Sequence, residues 1–283
     1  MDPGFRRDDG TFAVSPLQHI TGTVALVGAG KMGGAMLMGW LAQDLDPKRV
    51  VVVESAPSAE ISALAERGIR LNPKEPSAVD TLVIALKPQS FRGAAALLKS
   101  LTGPVTLVVS IMAGTTIASV EEVCGGAVVR AMPNTPAAIG RGITVAVPAE
   151  NVSAAQRATA DALLRATGRV EWVDDESLMD AVTAVSGSGP AYVFLLAEEL
   201  ARAGIAAGLP EELATKLAQD TIAGSGELLH RSELPAATLR QNVTSPGGTT
   251  AAALSVLMGN DGLRQLMTRA IAAATARSKE LAK

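Results

Sequence analysis

Short apolar runs alternate with helical patterns over the first two thirds of the chain. Strands are predicted at residues 23–27, 50–53, 81–86, 105–109, 127–130, 143–147 and 169–173, and helices at 34–45, 58–67 and 153–166. Continuous apolar runs of this length are typical of parallel strands that are buried on both faces of a sheet. Because strands and helices alternate, the pattern predicts an α/β fold with a doubly wound sheet.

The pattern changes after residue 175, where one helix follows another. Helices are predicted at 176–185, 190–207, 210–229, 235–243 and 263–282, with Gly- and Pro-containing turns between them. We therefore expect a disordered tail at residues 1–20, an α/β domain at 21–174 and an all-α domain at 175–283.

Small residues recur in the helical part, where they would allow helices to approach closely. They are Ala201, Gly204, Ala207, Gly224 and Gly226. We predict that this part forms a homodimer. The alternative is a bundle within one chain.

The composition of the chain excludes several classes of binding partner and indicates a cellular location. The chain has a net charge of −3, which provides no electrostatic footprint for nucleic acid or an anionic membrane. No apolar run is long enough to span a membrane, and the first residues lack the apolar stretch of a signal peptide. Cys124 is the one cysteine, which excludes an internal disulfide, and His19 and His230 are too far apart for a recognisable metal site. We expect a cytoplasmic protein that binds no metal, nucleic acid or membrane.

A glycine motif, G-x-G-x-x-G, follows the first predicted strand and precedes the first predicted helix. It is formed by Gly28, Gly30 and Gly33. In a dinucleotide-binding turn the first glycine permits the tight turn, the second lets a pyrophosphate approach the backbone, and the third lets helix and strand pack closely. We interpret the motif as a dinucleotide site; the alternative is a glycine-rich turn in another α/β unit.

The ends of the next strands leave the choice of dinucleotide open. Glu54 follows the second strand, where an acidic residue accepts hydrogen bonds from the ribose of NAD, whereas Ser55 and Ser58 could serve the 2′-phosphate of NADP. Glu54 could equally be a solvated strand end. Lys87 follows the third strand and is either a cofactor contact or an exposed loop lysine. We interpret Trp172 and Cys124 as packing residues.

A polar turn lies between two helical patterns late in the chain, at residues 241–250. Pro246, Gly247 and Gly248 cannot continue a helix, and Thr249 and Thr250 open the next apolar run. A helix N-terminus offers unpaired N–H groups and the positive end of the dipole, and nearby hydroxyls add further donors. We interpret the turn as a seat for a small carboxylate; the alternative is an N-cap with a glycine-rich turn.

Taken together, these residues resemble the pyrroline-5-carboxylate reductases, the enzymes of the last step of proline biosynthesis. The resemblance covers about residues 22–280 and rests on five motifs, which are Gly28-Ala29-Gly30-Lys31-Met32-Gly33, Ala85-Leu86-Lys87-Pro88, Arg130-Ala131-Met132-Pro133-Asn134-Thr135-Pro136, Ser186-Gly187-Ser188-Gly189-Pro190-Ala191-Tyr192 and Thr244-Ser245-Pro246-Gly247-Gly248-Thr249-Thr250. The last four motifs, in this order after the glycine motif, are specific.

The resemblance implies a Rossmann domain followed by an all-α dimerisation domain similar to that of 6-phosphogluconate dehydrogenase. It implies homodimers, often assembled further into decamers, with each substrate pocket completed by the partner subunit. With the glycine motif, it implies cofactor contacts at Gly28, Ala29, Gly30, Lys31, Met32, Gly33, Ser55, Ala85, Leu86, Lys87, Pro88 and Ala113. It implies substrate contacts at Glu176, Asn242, Ser245, Gly248, Thr249 and Thr250.

Two departures from the family pattern leave the choice between NADPH and NADH open. The region 71–78 is shorter than in many members, and an Asn that often meets the adenine end has no clear counterpart. The loop Ser55-Ala56-Pro57-Ser58 lacks part of the hydroxyl or Arg pattern. We expect NADPH as cofactor, with NADH as the alternative.

The resemblance implies hydride transfer from the nicotinamide to a cyclic imine, which gives L-proline. Reduction of a carbonyl develops an alkoxide and calls for an acid, whereas reduction of a protonated imine yields an amine and needs none. The helix after Gly189 carries no lysine, unlike the related hydroxyacid dehydrogenases. We expect catalysis by orientation, with Thr250 bonded to the ring nitrogen. The alternatives are a β-hydroxyacid-type dehydrogenase and a non-catalytic NADP-binding regulator.

Overall fold

The core of the α/β part is one eight-stranded sheet. The structure, a computed structural model, describes residues 15–281. The strands are β1 (Val24–Val27), β2 (Val50–Val53), β3 (Arg70–Leu71), β4 (Thr81–Ile84), β5 (Leu107–Ser110), β6 (Ala127–Met132), β7 (Gly142–Pro148) and β8 (Gly168–Trp172). Their order across the sheet is β3-β2-β1-β4-β5-β6-β7-β8.

The sheet is parallel except where β6 and β7 pair antiparallel. The chain reverses its direction of winding at β1, which pairs with β2 on one side and with β4 on the other. Val27 pairs with Ile84, so the turns after β1 and β4 lie side by side at the carboxyl edge of the sheet. Ligands bind at such a switch point in open α/β sheets. The predicted doubly wound α/β fold is confirmed.

Helices cover both faces of the sheet. They are α1 (Lys31–Ala42), α2 (Ala59–Ala63), α3 (Pro88–Phe91), α4 (Ala95–Leu101), α5 (Ile117–Cys124) and α6 (Ala154–Arg165). Strand residues alternate between the faces: Leu26 packs in the cluster that contains α1 and α6, and Val27 packs in the cluster that contains α4 and α5. The α3–α5 helices and β3 were not predicted from the sequence pattern, because they are short.

The predicted disordered tail lies largely outside the described residues, but residues 15–20 are ordered. Pro16–His19 form a short 3₁₀ turn that the Ser15 side chain caps, and Leu17 is 1% exposed in the larger apolar cluster. The apolar pattern around Leu17 was too short to be recognised as a core contact. The expectation of disorder is therefore wrong for residues 15–20.

A connector, residues 175–187, follows β8. It begins with a 3₁₀ turn (Glu176–Leu178), continues as α7 (Met179–Val182) and ends in a π-helical turn (Thr183–Gly187). The sequence pattern predicted one uninterrupted helix over 176–185. Turns of the π type occur frequently at functional sites.

The described residues form two compact units, residues 15–187 with 276–281, and residues 188–275. Later helices are α8 (Gly189–Ala206), α9 (Glu211–Arg231), α10 (Ala236–Asn242), α11 (Thr249–Leu257) and α12 (Leu263–Leu281). This confirms an all-helical C-terminal region. The domain boundary between residues 174 and 175 stays a prediction.

Within the second unit, α8 packs against α9. A Cβ at Gly204 would lie 3.3 Å from the Ala214 Cβ, and Ala214 and Ala218 are each 2% exposed. Many large apolar side chains of this unit nevertheless remain exposed, among them Phe194 at 67% and Leu228 at 57%. Patches of this kind mark interaction surfaces.

Along residues 15–281, none of the helices combines the length and the apolarity needed to cross a bilayer.

Candidate active site

The glycine turn joins β1 to α1. Gly28 has a φ of +92°, and a Cβ there would lie 2.6 Å from the carbonyl oxygen of Ala85. A Cβ at Gly33 would overlap the carbonyl oxygen of Gly28 and lie 3.1 Å from the Ala85 Cβ. Around Gly30, in contrast, an added Cβ would meet no heavy atom within 4 Å. The first and third glycines allow close packing, and the second leaves a cradle in which a phosphate fits.

The N-terminus of α1 faces this cradle. Gly30 is its N-cap and makes no side-chain capping bond. The N–H groups of the first turn and the positive end of the helix dipole are therefore available to an anion. Lys31, the first residue of α1, is exposed. These features fit the pyrophosphate of a dinucleotide.

Glu54 at the end of β2 closes the other side of the cradle. Its Oε1 accepts hydrogen bonds from the Ala56 N–H at 3.0 Å and from Ser55 Oγ at 3.3 Å, and its Oε2 accepts from the Ala29 N–H at 2.7 Å. The Ala56 N–H bond is the largest cause that holds the pKa of Glu54 below its ordinary value, against a smaller opposing effect of burial. Glu54 is thus an ionised carboxylate that orders the glycine turn, rather than a solvated strand end.

A cavity of about 800 Å³ extends from the cradle along α1. It is lined by Ala29, Gly30, Lys31, Gly34, Ala35, Met38, Gly39, Ala42, Gln43, Glu54, Ala56, Ser58, Glu60, Ile61, Ala137, Ala138, Gly140 and Ala166. The predicted cofactor residue Ser55 lies beside it and is exposed. The cavity has the size and the mixed polar and apolar walls of a cofactor site.

Asn72 adds a feature that the sequence pattern did not reveal. Its Nδ2 donates to the Glu54 carbonyl at 2.9 Å, and the Glu54 N–H donates to its Oδ1 at 2.9 Å. Asn72 has a φ of +48°, a conformation that Asn tolerates better than most residues. The sequence feature that could have predicted this contact is an Asn directly after the short strand β3.

A second cavity, of about 210 Å³, lies at the carboxyl edge of the sheet. It is lined by Met32, Ala85, Leu86, Ile111, Met132, Pro133, Asn134, Thr135 and Gly187. The structure thus joins three predicted cofactor residues to residues that were not predicted at the site. The signal was present, since residues 132–135 belong to one of the five motifs and lie at the end of β6.

The remaining predicted cofactor residues lie nearby in the chain. Lys87 is the N-cap of α3 and is exposed, and Pro88 is the first residue of that helix. Ala113 is half-buried in the segment between β5 and α5. None of these three is among the residues that line the smaller cavity. Their role as cofactor contacts stays a prediction.

Asn134 is held in one orientation at the smaller cavity. The Ile143 N–H donates to its Oδ1 at 3.0 Å, and its Nδ2 donates to Ser186 Oγ at 3.3 Å. Because the Oδ1 is occupied by a backbone donor, the amide nitrogen is directed towards the π-helical turn.

Glu176, a predicted substrate residue, lies at the start of the connector. Its Oε1 accepts from Arg130 Nη1 at 2.8 Å and from the Ile117 N–H at 2.8 Å. The Arg130 side chain is 6% exposed and that of Glu176 is 31% exposed. Glu176 is not among the residues that line the smaller cavity, so its contact with substrate stays a prediction.

The turn that we interpret as a carboxylate-binding site, residues 241–250, lies in the second unit. Gly247 has a φ of +68°, and Gly248 is the N-cap of α11 without a side-chain capping bond. Ser245 and Thr249 are exposed, and Thr250 is half-buried. Thr244 Oγ1 donates to the Arg240 carbonyl, so this hydroxyl is engaged. The backbone N–H groups at the open N-terminus of α11 can bind a small carboxylate.

Asn242 is the last residue of α10 and is exposed. Among the described residues, no group of three or more His, Cys, Asp or Glu side chains could hold a metal ion.

The fold and the site define a class. A glycine turn that opens onto a helix N-terminus, beside an apolar cavity at the switch point, belongs to a nicotinamide-dinucleotide-dependent oxidoreductase.

Comparisons with known proteins identify the family. Residues 176–281 match the family described as pyrroline-5-carboxylate reductase dimerisation, and residues 23–114 match the family described as NADP oxidoreductase coenzyme F420-dependent. The chain is 39% identical to the pyrroline-5-carboxylate reductase of Pseudomonas aeruginosa over 267 residues, which cover 93% of this chain and 97% of the relative. It is 41% identical to that of Mycobacterium leprae over 287 residues, which cover 91% and 96%.

Comparison with solved structures supports the same family. The pyrroline-5-carboxylate reductase of Coxiella burnetii superposes with a TM-score of 0.85 at 34% identity and covers 93% of this chain and 99% of that chain. That of Plasmodium falciparum, with NADP bound, superposes with a TM-score of 0.77 at 28% identity and the same coverage. The chain belongs to the pyrroline-5-carboxylate reductase family.

Proposed function

We propose that this protein reduces 1-pyrroline-5-carboxylate to L-proline with NADPH, the last step of proline biosynthesis. The observation that carries the proposal is the match to pyrroline-5-carboxylate reductases over more than nine tenths of both chains. Family membership does not favour the β-hydroxyacid dehydrogenase or the regulator.

The first unit would hold the cofactor. The α1 N-terminus and the Gly30 cradle bind the pyrophosphate, and Glu54 and Ser58 lie at the end of the larger cavity where the adenosine ribose belongs. Met32, Ala85 and Leu86 form apolar walls for the nicotinamide. Bound NADPH supplies a hydride to an electrophilic carbon; the residues around it bind, orient and exclude water.

NADPH is the preferred cofactor in this proposal. The description of the matched N-terminal family and the NADP-bound Plasmodium falciparum structure support it. Glu54 places a negative charge near the 2′ position and weakens the discrimination against NADH. Its two oxygens are, however, turned towards backbone N–H groups, which reduces the repulsion of a 2′-phosphate.

The second unit would hold the substrate. The carboxylate binds the open N-terminus of α11, where Gly248 leaves the backbone accessible and Ser245 and Thr249 add hydroxyls. The Thr250 hydroxyl hydrogen-bonds to the ring nitrogen, and Asn242 is a further substrate contact. Glu176, a residue of the first unit, is also a substrate contact in this proposal. The nitrogen of a protonated imine already carries its proton and loses only its positive charge when hydride adds to the carbon, so no proton donor is needed at the nitrogen. Catalysis then depends on the orientation of two bound molecules.

The protein acts as a homodimer in this proposal, with assembly into decamers as a further step and with the partner subunit completing the pocket. The dimerisation-family match and the exposed apolar side chains of the second unit support the dimer. The family match begins at residue 176, which supports the boundary proposed at residues 174 and 175. A cytoplasmic location is proposed from the sequence features alone.

The test is a spectrophotometric assay with the purified protein, pyrroline-5-carboxylate and either NADPH or NADH. We expect substrate-dependent loss of reduced cofactor, faster with NADPH, and L-proline as product. The proposal would be contradicted by a folded dimer that binds NADPH but does not oxidise it when any imine is added. A higher kcat/KM with NADH would refute the cofactor choice alone.

A further inference from the structure

We infer that Arg130 is a positioning residue of the smaller cavity, an inference that rests on the proposed function. Through the carboxylate of Glu176 it holds the start of α5 and the start of the connector against the sheet. It does so without lining the cavity itself.

The first observation is the burial of Arg130. It lies in β6 and is 5% exposed, and it is the one charged residue among the buried residues of the described chain. A guanidinium in such a place requires a paired, hydrogen-bonded anion, since an unpaired buried charge is strongly unfavourable. Glu176 provides the anion at 2.8 Å, 46 residues further along the chain.

The second observation is that one oxygen atom joins three elements. Glu176 Oε1 accepts from Arg130 in β6 and from the Ile117 N–H, and Ile117 is the first residue of α5. The carboxylate also lies at the positive end of the α5 dipole, which stabilises its charge. Glu176 is the second residue of the connector, so β6, α5 and the connector meet at this atom.

The third observation is that β6, the connector and the segment that leads into α5 each contribute a residue to the lining of the smaller cavity. Ile111 lies in the segment between β5 and α5, Met132 is two residues beyond Arg130, and Gly187 ends the connector. Gly187 and Met132 are in close contact, because a Cβ at Gly187 would overlap the Met132 Cε. A shift of the connector or of α5 therefore changes the shape of the cavity.

Further tethers hold the connector beyond Glu176. Ser278 Oγ donates to Asp180 Oδ1 at 2.7 Å, and Asn134 Nδ2 donates to Ser186 Oγ at 3.3 Å. Because the connector stays attached at these two points, loss of the Arg130 bond displaces its start without releasing it. The expected defect is in the alignment of the bound ring, with the fold retained.

The experiment compares Arg130→Met, Arg130→Lys and a matched control, Arg165→Met. Met has an unbranched apolar side chain that fits the space of the Arg stem, and Lys keeps the charge but loses the planar fork. Arg165 also pairs with a carboxylate in the first unit, Asp161, but its side chain is 51% exposed and lines neither cavity. Exposed pairs contribute little to stability.

For Arg130→Met we expect kcat to fall by about tenfold or more, since small misplacements of reacting groups are costly. The Kd for NADPH should change by less than about threefold, because the phosphate cradle is intact. The deuterium isotope effect on kcat with NADPH labelled at C4 should rise above that of the wild type, since hydride transfer becomes slower than product release. Arg130→Lys should recover part of kcat, and Arg165→Met should match the wild type.

A readout that needs no turnover separates the inference from the proposed function. Hydrogen exchange of the protein without cofactor should become faster at residues 111–117 and 183–187 in Arg130→Met, and not in Arg165→Met. Unchanged exchange there overturns the inference. So does a kcat that falls only in proportion to the unfolded fraction, with the wild-type isotope effect. An inactive wild-type protein would refute the proposed function while the exchange result still decides the role of Arg130.

Discussion

At the scale of single residues, Thr250 is the side chain that the proposed chemistry places in a hydrogen bond with the ring nitrogen of the substrate. We predict that Thr250→Ala lowers kcat/KM for the imine by about tenfold or more, the size expected when one bond that aligns a reactant is lost. Binding of NADPH should survive, because Thr250 lies in the second unit, away from the glycine turn in sequence.

Thr250→Ser is the matched variant, since it keeps the hydroxyl and should retain most of the activity. Steady-state kinetics measure kcat/KM for the imine, and a fluorescence titration measures the binding of NADPH. Wild-type kinetics in Thr250→Ala would remove Thr250 from the mechanism.

Glu54 allows a prediction about cofactor preference. Its carboxylate lines the larger cavity, where the proposal places the adenosine ribose, and accepts hydrogen bonds from the Ala29 and Ala56 N–H groups. Glu54→Gln removes a negative charge near the 2′ position. We expect the ratio of kcat/KM for NADPH to that for NADH to rise, because a 2′-phosphate is no longer repelled. Glu60→Gln, on the same cavity wall but exposed, is the control; an equal rise there would mean that only net charge matters.

Glu54 also carries a pH prediction for the protein without cofactor. The Ala56 N–H, with those of Ala29 and Ser55, holds its pKa below the ordinary value of 4.5. A carboxyl whose pKa is lowered on folding adds stability above its unfolded pKa and loses it as the pH falls through the folded pKa. The Tm advantage of the wild type over Glu54→Gln should therefore be present at neutral pH and shrink as the pH falls below 4.5. A constant difference in thermal melts would contradict this.

The pKa of Cys124 is shifted upwards, in contrast to that of Glu54. Burial raises the pKa of its thiol from 9.0 to about 11, with a smaller opposing effect of Lys99. We predict that iodoacetamide modifies Cys124 slowly in the native protein at pH 8, since the thiolate is the nucleophile. The contribution of this thiol to stability is present below pH 9.0 and is lost as the pH rises towards 11. Mass spectrometry of native and denatured protein checks the rate, and equal rates in both would disprove the prediction.

At the scale of elements, the packing of α1 on β1 depends on a glycine. A Cβ at Gly33 would overlap the Gly28 carbonyl oxygen, so Gly33→Ala must push the helix away from the strand. We expect a lower Tm and a Kd for NADPH at least about tenfold weaker, because the N-terminal turn of α1 moves off the pyrophosphate.

Gly93→Ala is the matched control for this change. An added Cβ there meets no heavy atom within 4 Å. It should leave Tm and Kd near the wild-type values. Wild-type NADPH affinity in Gly33→Ala would show that the turn tolerates the shift.

Elements were predicted from the sequence with uneven success. The long apolar strands and the helices of the C-terminal region were predicted within a few residues, because their periodicity is local. The connector was predicted as one helix, yet it holds a 3₁₀ turn and a π turn. Its polar tethers at Glu176, Asp180 and Ser186 reach partners far away in sequence, so no local pattern reports them.

At the scale of the whole molecule, the second unit exposes apolar side chains that water disfavours. Phe194 is 67% exposed and lines a cavity of about 470 Å³ between α8 and α9. A Cβ at Gly224 or Gly226 would meet no heavy atom within 4 Å, so these small residues have no packing partner beyond their own helix within the described chain. Both observations support an interface with a second copy.

We predict that Phe194→Glu shifts the protein from dimer towards monomer, because a charge in an apolar interface is desolvated without a partner. Sedimentation velocity at several protein concentrations makes the measurement, and activity should fall with the dimer fraction. Val105→Glu is the control: Val105 is 81% exposed but lies in the first unit. A Phe194→Glu protein that remains dimeric would place the interface elsewhere.

The class of fold, the glycine turn and the family could be predicted from the amino-acid sequence, because periodicity, turn residues and motifs are encoded over a few neighbouring positions. The partners of Glu54, Asn72 and Arg130 became visible in the folded chain, as did the assembly of the smaller cavity from Met32, Ile111 and Gly187 with their neighbours. These contacts join residues many positions apart. They exist because the sheet aligns the carboxyl ends of strands whose order the chain reverses, and side-chain pairing across that edge depends on the folded geometry.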